Sequence, residues 1–295
     1  MYQKNTTTKI NKSQYPFLLR QIPHLPEELH MAGKLPSDDN KFLCVVGSRL
    51  NSKYGHDACV KLISGLAGYP VVIVSGLALG IDSIAHEAAL DAKLTTVSFP
   101  GSGLSYDALY PPSHKHLATK IVEAGGALLS PFKLDQPGAE WTFPTRNRLM
   151  AGMSHATLII EAAKGSGTLI TADYAGTFGR DILTVTGSIF DELSYGPHML
   201  LRRGATPVAS SADILQALGF PVIRTDGMNQ ALPNFAEMSL SPEQKTIVDY
   251  LKIEPLSSTD LISKTGFASS KFNAIVSELE LLGIISEYNG RYKIA

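Results

Sequence analysis

Residues 71–93 read VVIVSGLALGIDSIAHEAALDAK, and three patterns follow one another inside that stretch. VVIVSG (71–76) is a short β-branched run without polar alternation, as expected of a strand covered on both faces. SGLALGID (75–82) sets Gly76 and Gly80 in the connection that follows. IDSIAHEAALDAK (81–93) then places Ile81, Ile84, Ala85, Ala88 and Ala89 on one face of a helix. A buried strand, a glycine loop and an amphipathic helix in succession form the repeating unit of an α/β sheet.

The same grammar recurs on both sides. FLCVVGSR (42–49), TTVSFPG (95–101), ALLSP (127–131), ATLIIEA (156–162) and DILTVTG (181–187) are further apolar runs, and HKHLATKIVEAGG (114–126) is a helix closing on glycine. Continuous apolar strands alternating with helices predict a doubly wound, Rossmann-like parallel sheet over 42–219. Residues 1–41 lack the pattern. MYQKNTTTKINKSQ (1–14) is polar, with no apolar core that would make a signal peptide, and YPFLLRQIPHLPEELHMAGKLP (15–36) is broken by prolines. This segment reads as a polar tail and adaptor. Residues 220–239, of mixed composition with two prolines, read as a linker.

A second grammar occupies 240–295. SPEQKTIVDYLK (241–252) starts on a capping serine with proline next, and SSTDLISKTG (257–266) is a short helix closed by glycine. SSKFNAIVSELELLG (269–283) lines up Phe272, Ile275, Val276, Leu279 and Leu282. IISEYNGRYKIA (284–295) is two strands around Asn289-Gly290. Three helices and a hairpin predict a small C-terminal winged-helix domain.

Hydrophobic residues make up 44% of the chain and charged residues 18%, the profile of a soluble globular protein. A formal net charge of −1 excludes a histone-like or coating protein and requires any anionic partner to be held by a local cluster. Cys44 and Cys59 are too few for a metal cage and read as buried thiols of a reducing compartment. The eight histidines are scattered, and His114 and His116, two apart on a helix, would splay. No metal and no cofactor is expected. The first strand is followed by GSRLNSKYG, and GSGLSY (101–106) carries Tyr106 where a third glycine would stand, so the dinucleotide fingerprint is missing. No apolar run is long enough for a membrane span, and the expected location is cytoplasmic.

Ligands of open α/β sheets bind beyond the carboxyl ends of the strands. Four stretches fall there: Gly47, Ser48 and Arg49; Ser75, Gly76, Leu77, Ala78 and Gly80; Phe143, Arg146, Asn147 and Arg148 in FPTRNRLMAG (143–152); and Lys164, Gly165, Ser166, Gly167 and Thr168. The last of these precedes a predicted helix, whose free N–H groups and dipole favour an anion. With three arginines and a lysine added, phosphate is the expected guest. Arg146 and Arg148 reach one ligand only if Arg146 stands before the helix, because an i, i+2 spacing within it points them apart. The alternative pairs them with Glu140, Asp173 or Asp181. Asp82 and His86, one turn apart, are either an acid–base pair or a structurally satisfied histidine.

With these residues assembled, the chain resembles the DprA/Smf family of bacterial DNA-processing proteins. SGLALGIDSIAHEAAL, FPTRNRLMAG and EAAKGSGTLITADYAGTFGR carry the resemblance, with weaker support from GSR (47–49), Tyr110-Pro111 and GPHMLLRRGA (196–205). It covers roughly 15–220. It implies a non-enzymatic protein that binds and protects single-stranded DNA, helps load the RecA recombinase in natural transformation, and dimerises through the Rossmann-like domain. In that picture the loops 75–80, 146–148 and 164–168 hold phosphates, and Phe143 either stacks on a base or serves as a core aromatic. The chain departs from the family pattern at Leu79, where an arginine is usual, and at Ser130-Pro131 and Thr186-Gly187. Two other function classes stay open. A nucleotide phosphoribohydrolase shares the fold and phosphate loop, but Thr171 stands where its catalytic glutamate would be. A nucleotide sensor signalling through the C-terminal domain is the other. That domain holds six Lys or Arg against seven Asp or Glu, which favours protein contact or weak auxiliary DNA contact over duplex reading.

Overall fold

Leu43 and Val45 of one strand belong to a different buried cluster from Phe42, Cys44 and Val46 of the same strand. That division shows a sheet covered on both faces, as a run without polar alternation requires. The computed structural model describes residues 7–221, 240–281, 284–288 and 290–294. The chain divides into two units, Met1–Val222 and Ile223–Ala295.

The first unit is a nine-stranded sheet: β1 (Thr7–Asn11), β2 (Glu28–Gly33), β3 (Lys41–Val46), β4 (Val71–Ser75), β5 (Thr95–Ser98), β6 (Ala127–Ser130), β7 (Ala156–Ile159), β8 (Asp181–Val185) and β9 (Thr206–Val208). Their spatial order is β1-β2-β6-β5-β4-β3-β7-β8-β9. From β6 to β9 all pairings are parallel, with Cys44 opposite Val74 on one side of β3 and opposite Thr157 on the other. One face carries α2 (Lys53–Ser64), α3 (Ile81–Asp91) and α8 (Ser211–Ala217), which contribute Leu62, Ile63, Ala85, Ala89, Ile214 and Leu215 to the cluster around Leu43. The other carries α1 (Phe17–Arg20), α5 (Thr142–Met153), α6 (Thr168–Thr177) and α7 (Tyr195–Arg202), with Leu19, Leu149, Met150, Met153, Ala172 and Leu200 in the cluster around Cys44. Helix α4 (Lys115–Glu123) packs Leu117, Ala118 and Ile121 against Ala32 and Leu128. Cys44 and Cys59 are both buried, and burial pushes the Cys59 thiol up to about 12.

Two features differ from expectation. The sheet is mixed, because β2 runs antiparallel to β6, and β1 antiparallel to β2. Part of the presumed tail and adaptor is therefore integral to the sheet. These strands lie toward one edge and bury only Ile10, Leu29 and Ala32, so they lack the apolar run that marks central strands. Residues 1–6, and the linker residues from 222 to 239, lie outside the described residues.

The second unit contains α9 (Pro242–Leu251), β10 (Leu256–Ser257), α10 (Ser258–Thr265), α11 (Ser269–Leu281), β11 (Ile285–Tyr288) and β12 (Arg291–Ile294). Its sheet has the order β10-β12-β11. Ser241 caps α9 in a reciprocal pair with Gln244, and Gly266 ends α10 with φ 68°. Phe272, Ile275, Val276 and Leu279 meet Ile247, Val248 and Leu251 in its core. Leu282 and Asn289 lie outside the described residues. Among the described residues no helix is long and apolar enough to cross a membrane.

Candidate functional site

β3 and β7 are neighbours in space yet distant in sequence. The chain moves outward from β3 through β4 and β5 to β6, then returns to β7 on the other side of β3. The crevice beyond their carboxyl ends is a topological switch point, where open α/β sheets hold ligands. Three hydrogen bonds gather the surrounding loops. Thr168 Oγ1 donates to the Gly47 carbonyl at 3.0 Å, the Asn147 amide donates to the Gly167 carbonyl at 3.3 Å, and the Ile81 N–H donates to the Ser48 carbonyl at 3.1 Å. Gly80 completes the junction with φ 77°, and a Cβ there would sit 2.3 Å from the Ser48 carbonyl oxygen.

The two arginines of FPTRNR do not converge. The segment is helical from Thr142, so Arg146 lies inside α5 rather than before it, and Arg148 points elsewhere. Arg146 is 4% exposed. Its Nη1 donates to the Phe99 carbonyl at 2.9 Å and stands 3.7 Å from Asp82 Oδ2. It lies across Gly76 so closely that a Cβ there would fall 1.3 Å from Nη1. Burial raises the Asp82 carboxyl above its usual range, while Arg146 and the backbone amides of Ala78 and Gly76 act in the opposite direction. Arg148 donates to the carbonyls of Pro23 and His24, at 2.5 and 2.7 Å. One arginine is thus a buried tie between loops, and the other fastens α5 to the segment between β1 and β2. The carboxylate that meets Arg146 is Asp82, and Asp173 pairs with Arg203 instead.

His86 is a buried core histidine, and its hydrogen-bond partner is Thr96 rather than Asp82. Its Nδ1 lies 2.7 Å from Thr96 Oγ1, whose own proton goes to the Ile73 carbonyl, so Nδ1 carries hydrogen and donates. Nε2 finds no partner among the described residues. Burial, reinforced by the nearby Arg146, pushes the imidazole down to about 3.

Several other expected contacts are internal. The Ser75 hydroxyl donates to the Val45 carbonyl at 2.7 Å, and Leu77 is fully buried with φ 60°. The Leu77 carbonyl accepts from His114 Nδ1 at 2.8 Å. What remains accessible is a smaller set. Arg49 is exposed, its guanidinium 4.8 Å from the centroid of the half-buried Phe143 ring. Lys164, Gly165 and Gly167 are exposed beside the first turn of α6, and open space surrounds both glycines. Ser48, Ala78 and Ser166 are half-buried at the rim, and Leu79 is exposed there.

Glu161 belongs to the same construction and escaped the sequence reading. It is buried at the end of β7 and accepts from the Ser52 N–H at 2.9 Å and from the Ser52 hydroxyl, pinning the far end of the loop that bears Arg49. Its signal was a carboxylate closing an otherwise apolar strand, which burial obliges to find donors. Among the described residues no group of three His, Cys, Asp or Glu is arranged to hold a metal ion.

Comparison with known proteins gives a consistent set of relatives. A family model described as DNA recombination-mediator protein A matches residues 6–219. Protein Smf of Escherichia coli is 38% identical over 234 residues, 79% of this chain and 60% of that protein, so the chain spans less than two thirds of that relative. The DNA processing protein DprA of Streptococcus pneumoniae is 38% identical over 219 residues, covering 74% of this chain and 76% of the relative. Its X-ray structure matches with a TM-score of 0.67 at 36% identity, over 74% of this chain and 76% of that one. A structure giving insights into the unique single-stranded DNA binding mode of DNA processing protein A from Helicobacter pylori matches with a TM-score of 0.64 at 25% identity. It covers 72% of this chain and 95% of that one.

Proposed function

The chain belongs to the DNA recombination-mediator protein A family, the DprA/Smf proteins, and from that premise we propose that it binds single-stranded DNA at the switch-point rim of its sheet. Backbone phosphates lie against Lys164, the Gly165–Gly167 turn and the start of α6, with Arg49 as the second cation. A base stacks at the Phe143–Arg49 pair, sharing that aromatic and guanidinium surface. The observation that carries the proposal is the contact of Arg49 with Phe143 beside an open glycine turn, a cation, an aromatic face and free backbone donors within one rim. Stacking and phosphate contact together suit a single strand, because a duplex hides its base faces.

The family supports three extensions of the proposal. The DNA-bound chain assists loading of RecA, it acts as a homodimer through the first unit, and it works in DNA uptake and recombination rather than as an enzyme. Thr171, buried where related hydrolases carry a catalytic glutamate, agrees with binding without bond cleavage. The second unit is a winged-helix module whose near-balanced charges suit contact with protein or weak auxiliary contact with DNA.

Fluorescence anisotropy with a labelled oligothymidylate tests the central proposal. The expected result is tighter binding of the single strand than of blunt duplex, with affinity falling steeply as salt rises. Equal affinity for the two would refute the strand preference. Competition by micromolar mononucleotides would favour a nucleotide sensor using the same crevice.

A further inference from the structure

Next to the Arg49–Phe143 pair stands a second aromatic surface that the proposed phosphate contacts leave unused. The Tyr110 ring lies 5.9 Å from Phe143, inclined by 58°, and Tyr110 is 41% exposed. Both rings are held from beneath. Phe143 covers Gly101, where a Cβ would come within 2.5 Å of the ring, and Tyr110 covers Gly138. The Tyr110 N–H donates to Ser102 Oγ at 3.0 Å, and Thr142 Oγ1 donates to the Gly101 carbonyl at 2.6 Å. Beyond Tyr110, the bond from His114 to the Leu77 carbonyl fastens this segment to the 75–80 loop. Lys115 follows, its ammonium 4.2 Å from the centroid of the exposed Tyr106 ring. Arg49 thus stands against Phe143, and Lys115 stands against Tyr106, four residues before Tyr110 in the chain.

Rings fixed by packing lose little entropy when a base settles on them, and single-strand sites set successive bases on such rings while cations follow the phosphates. We infer that Tyr110 is a second base-stacking position, receiving a base of the same strand that stacks on Phe143, with Lys115 meeting a phosphate beyond it. The inference rests on the proposal that this rim binds single-stranded DNA. The occupant is a nucleobase, because the ring continues the Phe143 position, where Arg49 suits a polyanion with flat faces.

The test uses the full chain, anisotropy, and two labelled probes of equal length, an oligothymidylate and an abasic strand. Tyr110→Ala should weaken the oligothymidylate roughly five-fold or more, the usual range for one lost stack, and leave the abasic strand unchanged. Tyr110→Phe should bind as the parent does. Tyr110→Leu, which keeps apolar packing onto Phe143, should show the loss again and so separate stacking from support. The loss must also persist in a Phe143→Ala background. Unchanged binding by Tyr110→Ala, or a loss that vanishes once Phe143 is gone, overturns the second position. Failure of the unsubstituted chain to bind oligothymidylate overturns the single-strand proposal itself, and is told apart by needing no variant.

Discussion

Gly76 and Arg146 are a matched pair, since the guanidinium occupies the space that any side chain at 76 would need. Replacing Arg146 by alanine strands Asp82, which is 5% exposed, as a buried charge without its cation. Breaking a buried pair from one side costs about 3–5 kcal/mol, whereas replacing both partners by packed neutral groups costs far less. In urea denaturation Arg146→Ala should therefore unfold much earlier, and Arg146→Met with Asp82→Asn should recover most of the loss. His86 makes the fold sensitive to acid. Its folded pKa of about 3 lies below the ordinary 6.5, so the unfolded chain takes up a proton that the folded chain refuses. This contribution is complete above pH 6.5 and is lost as the pH falls toward 3, at up to about 1.4 kcal/mol per pH unit. His155, also lowered by burial, acts in the same sense. Stability profiles should steepen below pH 6.5, and His86→Met should flatten that slope.

At the scale of elements, the loops around the switch point divide into those that face out and those that tie the structure together. Arg49 and Lys164 face out, so alanine at either should lower the salt slope of single-strand binding by about 0.7. Arg148 should leave that slope unchanged, because its donors are committed to Pro23 and His24. The central strands were legible as apolar runs between glycines, and the loops that meet at the rim followed from their places after those strands. The start of α5 was not legible. The sequence left open whether Arg146 stands before the helix or inside it. Pro144 does not decide, because proline also fits the first turn of a helix, where its missing N–H costs nothing. The helix start at Thr142 places Arg146 inside α5, where it points at Phe99 and Asp82. The edge strands were hidden for another reason, since β1 spreads its polar side chains along an exposed rim and makes the ion pair Lys9–Glu28. Tyr110 carried no chemical signal in sequence, because its meaning depends on a ring distant along the chain.

At the scale of the whole molecule, the proposed contacts all belong to the first unit, and the second unit contributes no net positive field. A chain ending at residue 221 should keep its affinity for oligothymidylate in an anisotropy titration. Any loss of function without the second unit would then appear in steps that follow binding. The rim itself has another property. Leu77 holds a left-handed backbone that a branched side chain adopts only when its surroundings compel it, and here a closed core and the His114 bond supply the compulsion. A loop clamped in this way holds one shape, so this wall of the proposed site needs no reorganisation before a strand arrives. Under the proposed function, capture should be set by diffusion and by the steering of Arg49 and Lys164. Stopped-flow mixing with an oligothymidylate should then show a single phase whose rate rises linearly with concentration.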